Sequence, residues 1–140
     1  MADALPWLAF GLELRLTTTA EGGRKTPLGL VDYEALQYRP NWGLPGMEHP
    51  AQVGAPVLCF GSTPLHPGDR TRAVIIPLVD LSLPLWEEVK VGDELRMYEG
   101  PKVCGYGLVA WVAKTLRPVP LSDHKKFDTW CRGSAAPPAE

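Results

Sequence analysis

Residues 8 to 17, LAFGLELRLT, alternate with a period of two. Phe10, Leu12, Leu14 and Leu16 share one side, while Gly11, Glu13, Arg15 and Thr17 share the other. Successive side chains of a strand point to opposite faces, so the pattern specifies a half-buried β-strand. Such a strand cannot stand alone: its backbone groups need ladder partners and its apolar side needs covering. Later runs supply the partners. VLCF at 57–60 predicts a short buried strand, and RTRAVIIPL at 70–78 a strand with Pro77 marking an edge or a bulge. VGDELRMY at 91–98 and VCGYGLVAWVA at 103–113 complete the set. Five or six short strands joined by turns predict an all-β fold, a small antiparallel barrel or sandwich.

The 14 glycines and 15 prolines punctuate these strands. Residues 40–56 read as loop or irregular strand, and TPLHPGD at 63–69 as a turn. LGLVDYEALQ at 28–37 predicts one helical turn capped by Asp32. The character changes at Arg117. RPVP is a stiff connector, SDHKKFDTWCR predicts a short helix at 122–132 capped by Ser122 or Asp123, and GSAAPPAE reads as a disordered tail. The organisation expected is therefore a β-barrel domain over 1–116 and a C-terminal extension over 117–140.

Apolar residues make up 45 % of the chain and charged residues 21 %, ordinary for a soluble globular protein. A formal net charge of −2 supplies no global basic field to advertise nucleic acid. Cys59, Cys104 and Cys131 form no CxxC pair and are odd in number, which points away from a disulfide framework and toward a reducing compartment. MADALPWLAF has neither the basic flank nor the long apolar run of a signal peptide, and no stretch is long enough to span a membrane. A cytoplasmic location is expected.

AEGGRKTP at 20–27 looks at first like a damaged phosphate-binding loop. That motif, G-x-x-x-x-G-K-[ST], needs a glycine where Arg24 stands and another where Thr19 stands. Pro27 also biases Thr26 away from the helical conformation that the motif requires. No nucleotide and no other cofactor is expected.

Four motifs in order make a more specific match: EGGRKTP at 21–27, YRPNW at 38–42, HPGD at 66–69 and EGPKVCGYGLVAWV at 99–112. Together they resemble the third domain of bacterial elongation factor Tu, a small antiparallel β-barrel that carries EGGRHTP, YRPQF, MPGD and a closing EGGRTVGAGVV. The match covers about residues 8 to 113 and implies that fold, here as a stand-alone domain without the family's GTPase domain. The chain departs from the family in a longer loop between Pro27 and Tyr38, in Gly100, Pro101 and Lys102 where the family has Gly-Gly-Arg, and in the added C-terminal segment.

In the family this barrel helps to hold the T-stem backbone of aminoacyl-tRNA. Its contacting positions fall on Arg24, Lys25, Asn41 and Lys102, all donors able to reach phosphate or ribose. Gly105, matching a family glycine and lying on one face with Gly107, leaves room for close approach of a backbone or ligand. Against this, Arg24 and Lys25 also read as solvated loop-tip residues. Residues 11 to 75 carry six Lys or Arg and six Asp or Glu, so an RNA contact would be weak and salt-sensitive.

The remaining candidates divide quickly. Tyr38, Arg39 and Pro40 read as structural. His49, His66 and His124 with the cysteines match no metal-ligand spacing and no catalytic signature, so neither a metal site nor catalysis is expected. Phe127 and Trp130 share one face of the predicted helix: either they fold back onto the domain, or with Arg132 they form an exposed partner patch. Glu87, Glu88, Asp93 and Glu94 read as a solvated rim. The resulting expectation is a non-catalytic, translation-related binding module with a protein partner, in a decoy or immunity-type role, and tRNA-type RNA as the alternative ligand.

Overall fold

The structure, a computed structural model, describes residues 5–25, 39–61, 65–77, 82–134 and 136–138. Within them run seven strands: β1 (Leu5–Leu16), β2 (Asn41–Gly43), β3 (Val53–Gly54), β4 (Val57–Phe60), β5 (Arg70–Ile75), β6 (Glu94–Glu99) and β7 (Lys102–Arg117). Two helices join them, α1 (Leu83–Trp86) and α2 (Leu121–Cys131). The strands form one sheet in the order β3-β2-β6-β7-β1-β5-β4, every pair antiparallel. The all-β expectation therefore holds for the body of the chain. The expected helical turn at 28–37 lies outside the described residues.

The alternation read in β1 sets the sheet's inner face. Phe10, Leu12, Leu14 and Leu16 join Trp42, Val57, Ala73, Ile75, Leu95, Met97 and Val109 in one core. Gly105 and Gly107 of β7 turn toward the same interior, where a Cβ on Gly107 would come 2.9 Å from Leu12. Trp86 enters from α1, its ring 5.1 Å from that of Phe10. Sequence reading missed this four-residue helix, whose one signal was Pro84 in the first turn.

The same strands bury a second face. Trp7, Ala9, Leu58, Cys59, Val74, Ile76, Trp111 and Ala113 form an outer layer with Phe127, Trp130 and Cys131 of α2. This explains why VLCF is apolar without alternation: β4 is buried on both sides. Gly11 is required here, because a Cβ at that position would sit 2.1 Å from the Trp111 ring. The pairing of β1 with β7 shifts register at this point, between Gly11 and Leu12.

Two local expectations are corrected. α2 starts one residue earlier than expected and is capped by Pro120, with no side-chain cap. Asp123 instead accepts the Thr115 hydroxyl at 2.8 Å, fastening the start of α2 to the end of β7. Pro77 marks neither an edge strand nor a bulge. It follows the end of β5, and its carbonyl accepts the Trp7 indole N–H at 2.8 Å.

The hydrogen-bonded ladder is open, and so differs from the closed barrel expected. β3 and β4 end it and do not pair with each other. They are nevertheless consecutive, separated only by Ala55 and Pro56. The Ala55 N–H reaches the Pro40 carbonyl at 3.3 Å, while the Pro56 carbonyl accepts from Ile76 at 3.1 Å. One extended segment thus borders β2 with its first half and β5 with its second. Pro56, which has no N–H to donate, sits where the pairing changes sides.

Candidate functional site

The described part of the stretch that resembles a phosphate loop begins in a closed turn over residues 18–23. Glu21 accepts from the Thr18 N–H at 2.8 Å and from the Thr18 hydroxyl at 3.0 Å, while Thr18 Oγ1 accepts from the Glu21 N–H at 3.1 Å. This is the reciprocal arrangement of a capping box, here built without a helix to follow it. The bonds from Thr18 hold the Glu21 carboxyl below its ordinary range. Gly22 takes φ of 94°, and Gly23 packs so closely on Thr17 that a Cβ would meet its hydroxyl at 2.3 Å. The N–H groups of Glu21, Gly22 and Gly23 are therefore spent on Thr18 and Thr19 rather than turned toward an anion.

The residues carried over from the resemblance gather around the hairpin between β6 and β7. Arg24 forms an ion pair with Glu99, and Glu99 faces Lys102 across the turn. Asn41 pairs across the strands with Tyr98, the residue before Glu99. Lys102, Asn41 and Lys25 are exposed. Gly105 is not: the space a Cβ would take is filled by the Arg15 carbonyl at 3.1 Å and Met97 at 3.2 Å. Its room serves this chain's own core.

A network that sequence reading missed lies beside the hairpin. Tyr98, 1 % exposed, takes a hydrogen bond from Arg96 Nε at 3.1 Å and meets His49 Nδ1 at 2.8 Å. Arg96 also donates to the Met47 carbonyl at 2.8 Å, crossing β2 above Gly43. Glycine at 43 is what allows the guanidinium to lie there.

From the hairpin the outward face of β1, β7 and β6 continues. Because Leu12, Leu14, Gly105, Gly107, Leu95 and Met97 point inward, Glu13, Arg15, Tyr106, Leu108, Glu94 and Arg96 point outward. Pairing aligns them in two rows: Glu13, Leu108 and Glu94, then Arg15, Tyr106 and Arg96. Arg15 lies 5.5 Å from the centre of the Tyr106 ring and pairs with Glu21 at 3.4 Å. A shallow cavity of about 470 Å³ opens here, lined by Arg15, Thr17, Glu21, Glu94, Val103 and Tyr106. Leu108 and Val91 are 49 % and 65 % exposed. The strands expected at 91–98 and 103–113 held the signal for these rows, since strand alternation fixes which residues share a face.

The partner-patch arrangement for the C-terminal helix is overturned. Phe127 and Trp130 are 2 % and 3 % exposed, stacked and edge-on against Trp111 at 5.4 and 5.3 Å. The apolar stripe of α2 is drawn onto the outer sheet face because Trp7, Leu58 and Trp111 need covering. Arg72 fixes the end of the helix: its guanidinium lies 4.5 Å from the Trp130 ring and donates to the Trp130 and Ser134 carbonyls. Arg132 alone of the three stays at the surface, paired with Asp128 at 2.8 Å.

Among the described residues no three His, Cys, Asp or Glu side chains are placed to hold a metal ion. HPGD is a structural turn, in which Asp69 accepts the His66 N–H at 2.9 Å and Gly68 takes φ of 90°. Among the described residues no helix is long and apolar enough to cross a membrane. No protein-family model matches the chain, and no curated protein matches it.

Proposed function

We propose that this chain is a non-catalytic binding module that resembles the third barrel of elongation factor Tu and engages a protein which recognises such a barrel, in a decoy or immunity-type role. The bent segment 53–60, which borders both ends of the sheet, supports the barrel resemblance. The surface assigned to the partner is the β6–β7 hairpin with the adjoining outward rows. One observation carries the choice of a protein over RNA. Four guanidiniums of this face already have acceptors within the chain: Arg15 has Glu21, Arg24 has Glu99, Arg96 has Met47 and Tyr98, and Arg72 has Glu13. Arginines spent in this way contribute little to phosphate binding, whereas exposed Leu108 and half-buried Tyr106 between mixed charges suit a protein surface.

RNA is the second reading, favoured by the row Arg70, Arg15, Tyr106 and Arg96, which interleaves arginines with an aromatic ring across four strands. Capture experiments separate the two. The wild-type chain is immobilised beside Leu108→Glu and the Arg24→Glu, Lys25→Glu double variant, and bound protein and RNA are identified separately. A discrete protein lost by Leu108→Glu and displaced by free elongation factor Tu supports the first reading. Enrichment of RNA that is salt-sensitive and lost in the double variant replaces it with the second.

A further inference from the structure

Cys59 in β4 and Cys131 at the end of α2 lie 72 positions apart in sequence, yet their sulfurs stand 3.3 Å apart. Both are free thiols and both are buried, 7 % and 4 % exposed. They sit in the layer that joins α2 to the sheet, beside Phe127, Trp130 and Trp111. The third cysteine, Cys104, belongs to the other layer, in the interior core. A disulfide requires the sulfurs to close to about 2.05 Å, roughly one ångström nearer, a movement within reach of side-chain rotation and a slight settling of the helix.

We propose that Cys59 and Cys131 form a reversible thiol–disulfide site that locks α2 onto the sheet. The co-reactant is a small-molecule disulfide, such as oxidised glutathione. One protein thiolate attacks a sulfur of that disulfide, breaking its S–S bond, forming a mixed disulfide and releasing one small thiol. The second protein thiolate then attacks the protein-side sulfur, closing the Cys59–Cys131 bond and releasing the second small thiol. Two protein thiols are oxidised, one external disulfide is reduced, and the protons end on the released thiols.

The surroundings set the order of events. With α2 docked, the Cys131 contact and burial raise the Cys59 pKa, keeping this thiol protonated and a poor nucleophile. Arg132, Gly133 and Ser134 directly after Cys131 are exposed or half-buried, so the helix end is where an oxidant enters when α2 opens. The site thus records opening of α2 and, once oxidised, prevents the next one. This inference does not depend on the partner proposed above.

The full-length chain is incubated with oxidised glutathione at pH 8, then analysed by intact mass and by mapping of disulfide-linked peptides, with the Cys104→Ser variant in parallel. Both proteins are expected to lose two hydrogens, to yield one Cys59–Cys131 link and to regain free thiols with dithiothreitol; in wild type Cys104 stays a reduced thiol. Trp130→Ala, which loosens α2, is expected to accelerate the reaction by roughly a thousandfold, matching the loss of a buried Trp side chain. Stable glutathione adducts without the internal link overturn the proposal. So does pairing through Cys104, or thiols that stay unreacted in Trp130→Ala.

Discussion

Truncating Trp130 to Ala tests the docking of α2 directly. The side chain is 3 % exposed and touches three kinds of partner. Trp111 meets it edge-on at 5.3 Å and 83°, the Arg72 guanidinium lies over it at 4.5 Å, and the outer layer packs around it. Removing a buried Trp side chain costs about 3–5 kcal/mol through lost transfer energy and an unfilled cavity. The ring pair and the cation–π contact, about 0.5–1.5 and 0.5–2 kcal/mol in their own right, are contained in that figure rather than added to it. The Arg72 bonds to the Trp130 and Ser134 carbonyls survive the substitution, because they use backbone oxygens. The expected loss is therefore about 4 kcal/mol, a large share of the roughly 5–15 kcal/mol that stabilises a domain. Urea unfolding followed by circular dichroism and by fluorescence of the remaining tryptophans measures it. Either the whole transition moves to lower urea, or α2 separates first as its own early phase. Arg132→Ala is the matched control: its side chain is 70 % exposed and its ion pair with Asp128 is a surface one, so a change within about 0.5 kcal/mol is expected. A Trp130→Ala loss below about 1 kcal/mol would refute the packed reading and restore an exposed patch.

Three further substitutions test other parts of the reasoning. Gly11→Ala forces a Cβ into the Trp111 ring and is expected to lower stability by about 1–3 kcal/mol in the same urea assay. Glu21→Gln removes the carboxylate that closes the 18–21 turn. Because the folded pKa of Glu21 is lowered, its contribution is present above the ordinary value of 4.5 and is lost as pH falls through the folded value. Amide exchange in residues 17–25 should therefore be faster in Glu21→Gln than in wild type at neutral pH, and equal once the wild-type carboxyl is protonated. Leu108→Glu, at an exposed position on the outward face, is expected to cost no more than about 1 kcal/mol, from the carboxylates of Glu13 and Glu94 opposite it, while abolishing partner capture. A loss of several kcal/mol would place Leu108 in the core and remove it from the binding surface.

How much of this was legible follows from the range of the forces involved. The alternation of Phe10 through Leu16 is a local rule and gave the inner face of β1 directly, while short apolar runs between turn residues gave the existence of β4, β5, β6 and β7. The double burial of β4 was visible in the unbroken run VLCF, although its cover was not, because α2 joins it from more than sixty residues away. Caps failed for a similar reason. Asp123 has the side chain of an N-cap, and Thr115 on the neighbouring strand takes it instead. Register was the hidden quantity throughout. The meeting of Arg24 with Glu99, 75 positions on, exists only once β6 and β7 are paired and the 18–24 turn has folded beside them. The same holds for the alignment of Leu108 between Glu13 and Glu94.

That hidden register bears on ligand choice more than composition does. A count of charges over residues 11 to 75 gives a neutral stretch, which weakens the case for RNA without saying which cations are available. Pairing resolves half of its cations into individual commitments, with Arg15, Arg24 and Arg72 each held by an acceptor of this chain, as Arg96 of β6 also is. An arginine so held must break its internal bond before it meets a phosphate, and the two energies largely offset each other. An apolar contact carries no such penalty, since exposed Leu108 and Val91 lose only water when covered. The outward face is therefore better matched to a partner that brings its own apolar surface than to one that brings only negative charge.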